Sequence, residues 1–403
     1  MIRELVQLSE LPFMKTHTFR LPKKTLFGIN AVERVGSEAR EFGSRALVVT
    51  DSNIQKAGLF DRVREKLEDE EIEVNTFDEG GAEPTLEIAR SAADAARKGK
   101  YDLVVGLGGG SVMDMAKVAS ITVTNTKDIE EYLGVDKVER PGIPMILIST
   151  TAGTASEVTK NAIIVIPEQN LKTAIVSPHN LADVAIIDPT MTLTVPPSVT
   201  AATGLDALSH AIEAVMSTGA NPVTDSLALE SIRLIGGNLR QAYTHGDYLE
   251  ARYNMALGCL MSGMAFGNAG VCIGHAAAYA FSVKHAVSHG VSCGLALPYV
   301  IEFNLNACIP KLAKVSESLT GKTYLTMREA ASDAARSVWE LMKDVGLPTS
   351  LKEVGVAVEE VEEMAENLLG ITRLLASNPR KITKEEAVLL FERMWEGRLG
   401  EED

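Results

Sequence analysis

Apolar positions follow two different rhythms along this chain. In roughly the first half, short apolar runs alternate with stretches of helical spacing. ALVVT (46–50) is an apolar run ending at Asp51, and LFDRVREKLEDE (59–70) carries the spacing of an amphipathic helix. IEVNTF (72–77) alternates as a strand does. LEIARSAADAARKG (86–99) is Ala-rich and amphipathic, with Gly99 as a stop signal. DLVVGLGGG (102–110) reads as a buried strand running into glycines, and SVMDMAKVASITVT (111–124) as a helix with Ser111 as its N-cap. PMILIST (144–150), AIIVI (162–166), TAIVS (173–177) and VAIID (184–188) add strands. Such alternation builds a parallel α/β sheet. At VPPS (195–198) the rhythm changes, and from there only helical periodicity continues. The pattern predicts an α/β domain over 1–195 and an all-α domain over 196–403.

Composition narrows the function. The net charge is −15, which argues against nucleic acid as a partner, because neutralising phosphates needs clustered Lys and Arg. The four cysteines (Cys259, Cys272, Cys293 and Cys308) are few for 403 residues and all lie in the helical half, so no disulfide framework is expected. MIRELVQLSELP at the start carries charges and lacks the apolar run of a signal peptide. The most apolar stretch, 254–283, is broken by glycines, Asn268 and His275, which suits a buried helical pair better than a membrane span. A soluble, reduced, cytoplasmic protein is expected.

Three loops point to a nucleotide. GLGGGS (106–111) sits between a strand and a helix, where glycines admit a pyrophosphate and the helix N-terminus offers free N–H groups. It does not fit the G-x-G-x-x-G fingerprint, and alone it is equally a tight turn. Asp51 ends an earlier strand, where a carboxylate can hold a ribose diol or simply cap a helix. STTAGT (149–154) ends another strand with a cluster of hydroxyls. The three reinforce one another, because open α/β sheets bind ligands at the C-terminal ends of their strands.

Asp206 and His210 stand four apart in a helical stretch and so share a face. His275 and His289 lie in a Gly-rich apolar run, fourteen residues apart. One carboxylate and three imidazoles suit Fe(II) or Zn(II). A rival set, Cys272-x-x-His275 with His289-x-x-x-Cys293, could form a structural zinc site.

GGGSVMDMAK, STTAGTASEVT, ATGLDALSHAIEA and AFGNAGVCIGH followed by HG at 289–290, taken in order, resemble the iron-dependent (group III) alcohol dehydrogenases. The resemblance covers about residues 100–300 and implies the fold of that family, shared with dehydroquinate synthase. The active site would lie in the cleft between the two domains. It implies a metal held by Asp206, His210, His275 and His289. It implies cofactor contacts from Asp51, Gly108, Gly109, Gly110, Ser111, Asp114, Thr150, Thr151, Thr154 and Lys172, and a substrate pocket lined by Asn161 and Phe266. The expected reaction is hydride transfer between a small alcohol or aldehyde and NAD or NADP, by a homodimer or higher homo-oligomer. Alternatives are an NAD-using lyase like dehydroquinate synthase, or a polyol oxidoreductase like glycerol dehydrogenase. Many family members carry a second histidine four residues after the third metal ligand; here that position is Tyr279. Either Tyr279 or His285 is expected to relay the proton.

Overall fold

The apolar runs of the first half pair side by side, in one direction. The computed structural model describes residues 15–81 and 83–400; MIRELVQLSELP lies outside the described residues. The strands are β1 (Lys24–Phe27), β2 (Arg45–Val49), β3 (Glu73–Phe77), β4 (Leu103–Gly108), β5 (Gly134–Val135), β6 (Met145–Ser149), β7 (Asn161–Ile166), β8 (Leu171–Val176) and β9 (Val184–Ile187). Six form a parallel sheet in the order β1-β9-β6-β4-β2-β3. The central strands β4, β6 and β9 are buried along their whole length, as expected of a sheet covered on both faces. Among the helices between them are α1 (Leu59–Glu68), α2 (Leu86–Gly99) and α3 (Gly110–Thr124).

The expectation of a single parallel sheet fails at two runs. AIIVI and TAIVS form an antiparallel hairpin, β7–β8, which joins β5 in a separate three-stranded sheet. Four residues, PEQN, separate these strands, too few for the crossover that a parallel pair requires. The stop of α2 also differs. Lys100, not Gly99, takes the left-handed conformation (φ 53°), while Gly99 makes room for the Tyr101 ring. Ser111 is not an N-cap: Gly109 caps α3, which begins at Gly110.

After Pro197 the described chain is helical: α4 (Pro197–Met216), α5 (Pro222–Thr244), α6 (Leu249–Ala269), α7 (Ile273–Ser282), α8 (His289–Thr320), α9 (Met327–Asp344), α10 (Val361–Gly370) and α11 (Lys384–Glu396), with short helical turns at Lys352–Val354, Val358–Glu360 and Thr372–Leu375. Leu205, Leu208, Ile212, Ile232, Ile235 and Leu297 fill their shared core, each worth about 1.5–3 kcal/mol when fully buried. That core continues onto Ala155, Val158, Ala185 and Ile187, so the bundle packs directly on the sheet's loop-bearing end. No single described helix is long and apolar enough to cross a membrane. The apolar pair α6 and α7 bends by 101° and is largely buried, as the glycines between them suggested.

Candidate active site

The parallel strands bring their C-terminal ends to one edge. β2 connects outward to β3 on one side, and the chain then returns to β4 on the other, so the order reverses between β2 and β4. Crevices of this kind are where open sheets hold ligands. Asp51 follows β2, the glycines close β4, and Thr150–Thr154 follow β6. Gly108 lies opposite Ser149 in register, and Thr150 N–H donates to the Gly108 carbonyl. A Cβ on Gly110 would come within 2.6 Å of the Thr154 side chain, so only glycine lets the two loops close up. Thr150 Oγ1 is buried without a hydrogen-bond partner. Asp51 caps the short helix Ser52–Lys56, its Oδ1 accepting from Asn53 N (2.7 Å) and Ile54 N (3.1 Å). Capping and ribose binding were alternatives in the sequence; the cap is present and occupies one of two oxygens.

Asp114 faces inward. Its carboxylate accepts from Ser156 Oγ (2.6 Å), Ile163 N (2.9 Å) and Lys117 Nζ (3.4 Å). Lys117, fully buried, also donates to Ser156 Oγ (2.5 Å) and to the Asn161 carbonyl (2.6 Å). This network ties α3 to the turn after STTAGT and to the start of β7, and so braces the glycine loop from behind. Sequence reading missed Lys117 and Ser156. Their signal was spacing alone, Lys117 standing three after Asp114 on one helix face.

The second cluster belongs to the helices. Asp206 and His210 share a face of α4, as their spacing predicted, with His210 Nδ1 3.9 Å from Asp206 Oδ1. His275 enters from the first turn of α7 and His289 from the first residue of α8, with His289 Nε2 3.5 Å from Asp206 Oδ1. A Cβ on Gly290 would lie 2.2 Å from the Ala202 carbonyl, so glycine lets α8 approach α4. Ring centroids of His275 lie 4.6 Å from His210 and 5.4 Å from His289. Donor atoms of Asp206, His275, His289 and Cys293 all fall within 4.8 Å of one another. Of the rival zinc set, Cys293 joins this group but Cys272 does not; its thiol faces the Glu213 and Ser377 carbonyls.

Glu213 was also missed, although it stands seven after Asp206 on the same helix. Its Oε2 accepts from the backbone N–H of Cys272 (2.7 Å), Gly274 (3.1 Å) and His275 (3.4 Å), an anion at a helix N-terminus. Oε1 lies 2.5 Å from His275 Nδ1, which leaves Nε2 directed at the cluster. Carboxylates orient metal-binding histidines in this way.

The donors suit a divalent ion. Asp206 Oδ1, His210 Nδ1 and His275 Nε2 are buried with no hydrogen-bond partner, an arrangement costly without a cation. Burial pushes the Asp206 carboxyl up to about 6. Burial, with His275 beside it, holds His210 well below the usual imidazole range; burial and the Lys172 ammonium do the same to His289. Both imidazoles are therefore neutral at neutral pH.

Of the remaining expected residues, Phe266, Lys172 and Tyr279 lie beside this cluster. The Phe266 ring stacks on His210, centroids 3.9 Å apart and planes 10° from parallel, giving an apolar wall. Lys172 Nζ lies 5.5 Å from the Tyr279 ring centroid, and so links β8 to α7. Tyr279 packs at 5.8 Å from His289, and burial pushes its hydroxyl up to about 12. His285 points its Nε2 to Glu360 Oε2 at 3.1 Å instead of joining the cluster.

Comparison with known proteins agrees with both halves. Residues 22–189 match the family described as iron-containing alcohol dehydrogenase, and residues 200–395 its C-terminal region. The chain is 37% identical to long-chain-alcohol dehydrogenase 1 of Geobacillus thermodenitrificans, over 94% of this chain and 97% of that protein. It is 33% identical to the NAD-dependent methanol dehydrogenase of Bacillus methanolicus, over 91% and 97%. A crystal structure of 1,3-propanediol oxidoreductase superposes with a TM-score of 0.91 at 37% identity, covering 94% of this chain and 100% of that one.

Proposed function

Because this chain belongs to the iron-containing alcohol dehydrogenase family, we propose that it moves a hydride between a small primary alcohol or its aldehyde and NAD(H), at a divalent metal held by Asp206, His210, His275 and His289. It is an enzyme, an alcohol dehydrogenase of the iron-containing type. The observation that carries the finer reading is the convergence of unpartnered buried donors from α4 and α7 with His289 from α8. The reading divides the chain at 195/196 and sets the reaction in the cleft between the sheet's loops and the bundle. It further includes iron as the resident ion, a homo-oligomeric state and a cytoplasmic location.

When bound, the ion lowers the pKa of the alcohol oxygen and the nicotinamide accepts the hydride. The chain's own groups supply position and exclusion. Gly108–Gly110 and the N-terminus of α3 receive the pyrophosphate, with Ser111 in the first helical turn beside it. The free oxygen of Asp51 takes the ribose diol and disfavours a 2′-phosphate. Thr150, Thr151 and Thr154 offer hydroxyls to the dinucleotide. Phe266 and the entry to β7 at Asn161 enclose the substrate's carbon chain and keep water from the reacting carbon. Glu213 fixes the His275 ring, so the donors are set before substrate arrives.

The test is anaerobic purification with metal analysis, then an alcohol panel with NAD+ and NADP+ followed by reduced-nicotinamide absorbance. Absence of net hydride transfer with either cofactor in metal-replete protein sinks the reading.

A further inference from the structure

The β7–β8 hairpin turns an open edge toward α3. β7 is the outer strand of the sheet β5-β8-β7, so its backbone groups on the side away from β8 have no strand to pair with. Two charged side chains of α3 take that place at the start of the strand. Lys117 Nζ donates to the Asn161 carbonyl (2.6 Å), and Asp114 Oδ2 accepts from Ile163 N (2.9 Å). Residues two apart on a strand turn their backbone groups to one edge, and residues three apart on a helix share a face. The pair therefore meets the edge of β7 as a neighbouring strand would, with one donor and one acceptor.

The same two groups hold the hydroxyl loop. Lys117 Nζ donates to Ser156 Oγ (2.5 Å) and lies 3.4 Å from Asp114 Oδ1, and Ser156 Oγ donates to Asp114 Oδ1 (2.6 Å). All three donors of the ammonium and both oxygens of the carboxylate are thereby used. Ser156 N in turn donates to Thr154 Oγ1 (3.3 Å), and Thr154 is the residue against which Gly110 closes. A continuous path of contacts thus runs from the glycine loop through Thr154 and Ser156 to Lys117 and on to Asn161. Burying such a pair adds little net stability over apolar residues of the same volume. Its consequence here is geometric, because it fixes the entry of β7 relative to both cofactor loops.

We propose that Lys117 is a positioning residue for the substrate end of the site, setting through the Asn161 carbonyl which carbon chains the pocket accepts. The inference rests on the dehydrogenase reading above, in which Asn161 stands at the substrate's carbon chain. Lys117 is fully buried and has no donor left for a ligand, so it acts through the strand that it holds. Releasing the Asn161 carbonyl frees the first residue of an edge strand, and the wall that this residue forms loses its fixed distance from the reacting carbon.

Discrimination among alcohols separates positioning from mere support of the fold. The full, metal-replete chain is assayed with NAD+ over straight-chain primary alcohols from ethanol to octan-1-ol, and NADH binding is followed by nicotinamide fluorescence. Lys117→Met keeps the stem and removes every bond of the ammonium. It should raise the KM for alcohol and narrow the spread of kcat/KM across the series about tenfold, because small displacements at a reacting site are costly. Ser156→Ala frees the hydroxyl loop from α3 but leaves Lys117 on Asn161 and Asp114. It should weaken NADH binding and keep the wild-type spread. Lys117→Met also strands the buried Asp114 carboxylate; where that variant does not fold, Asp114→Asn/Lys117→Met removes both charges at similar volume and carries the same expectation. A wild-type spread in the Lys117 variant, an equal loss of kcat/KM for every alcohol, or a spread narrowed as much by Ser156→Ala overturns Lys117 as a positioning residue and leaves the dehydrogenase reading standing. Wild type that transfers no hydride from any alcohol of the series overturns that reading and this inference with it.

Discussion

The Glu213 carboxylate holds His275 by one oxygen and the start of α7 by the other, 2.5 Å from the His275 Nδ1 and 2.7 Å from the Cys272 N–H. A single buried residue thereby sets both the direction of the His275 ring and the place of the helix that carries it. Glu213→Gln keeps the volume but offers one accepting oxygen where two are used. Metal affinity should fall about 10- to 100-fold, as when other outer partners of metal histidines are removed. Chelator competition measures it; unchanged affinity would show that α7 packing alone orients His275.

His275→Ala removes a proposed ligand without touching the large apolar core around it. Bound metal and hydride transfer should both be lost, while circular dichroism keeps the helical signal, because this core does not depend on an ion as a zinc finger does. Full metal occupancy in this variant would remove His275 from the site.

Asp51 both caps a helix and stands where a ribose is expected, so the substitution must separate the two. Asp51→Asn keeps an N-cap acceptor and removes the charge, whereas glycine would also weaken the cap. The ratio of kcat/KM for NAD to that for NADP should fall by roughly 5- to 30-fold, a charge effect of about 1–2 kcal/mol. An unchanged ratio means that Asp51 is a cap and nothing more.

Tyr279 takes the place of a histidine expected to relay protons, and its hydroxyl is pushed up to about 12 by burial. It cannot accept a proton at neutral pH, so alcohol oxidation should be favoured on the alkaline side. Tyr279→His should move the oxidation optimum to lower pH. His285→Ala should leave the profile where it is, because Glu360 engages that ring. Superimposable profiles for wild type and Tyr279→His would remove position 279 from the proton path.

Glu157 follows the Ser156 that braces the glycine loop, and burial pushes its carboxyl up to about 7 from an unfolded value of 4.5. Its Oε2 has no hydrogen-bond partner. The folded state therefore binds this proton more tightly than the unfolded chain does. The contribution is fully present below pH 4.5 and is lost as pH rises through 7, at most about 3 kcal/mol. Glu157→Gln should flatten that loss and raise Tm above wild type at pH 8. A variant whose Tm falls with pH as steeply as wild type would show that the carboxyl is already ionised at low cost.

Periodicity alone placed β2, β3, β4, β6 and β9, and helices α1–α3, within two residues of their observed ends. It also marked the change of architecture at VPPS, because buried strands and amphipathic helices differ in the spacing of their apolar residues. It paired Asp206 with His210, since residues four apart on a helix share a face wherever the helix lies. What depended on chains meeting in space was not in that pattern. The direction of β7 and β8, the inward turn of Asp114 onto Lys117, and the grip of Glu213 on His275 join residues between 3 and 62 positions apart. His275, His289, Asp206 and Cys293 were each visible, but one-dimensional spacing allowed two metal sets. Only the crossing of α4, α7 and α8 decided which donors converge, bringing His275 and His289 to Asp206 and turning Cys272 to the backbone carbonyls, because a ligand set is a distance condition across elements and sequence spacing fixes distance only within one.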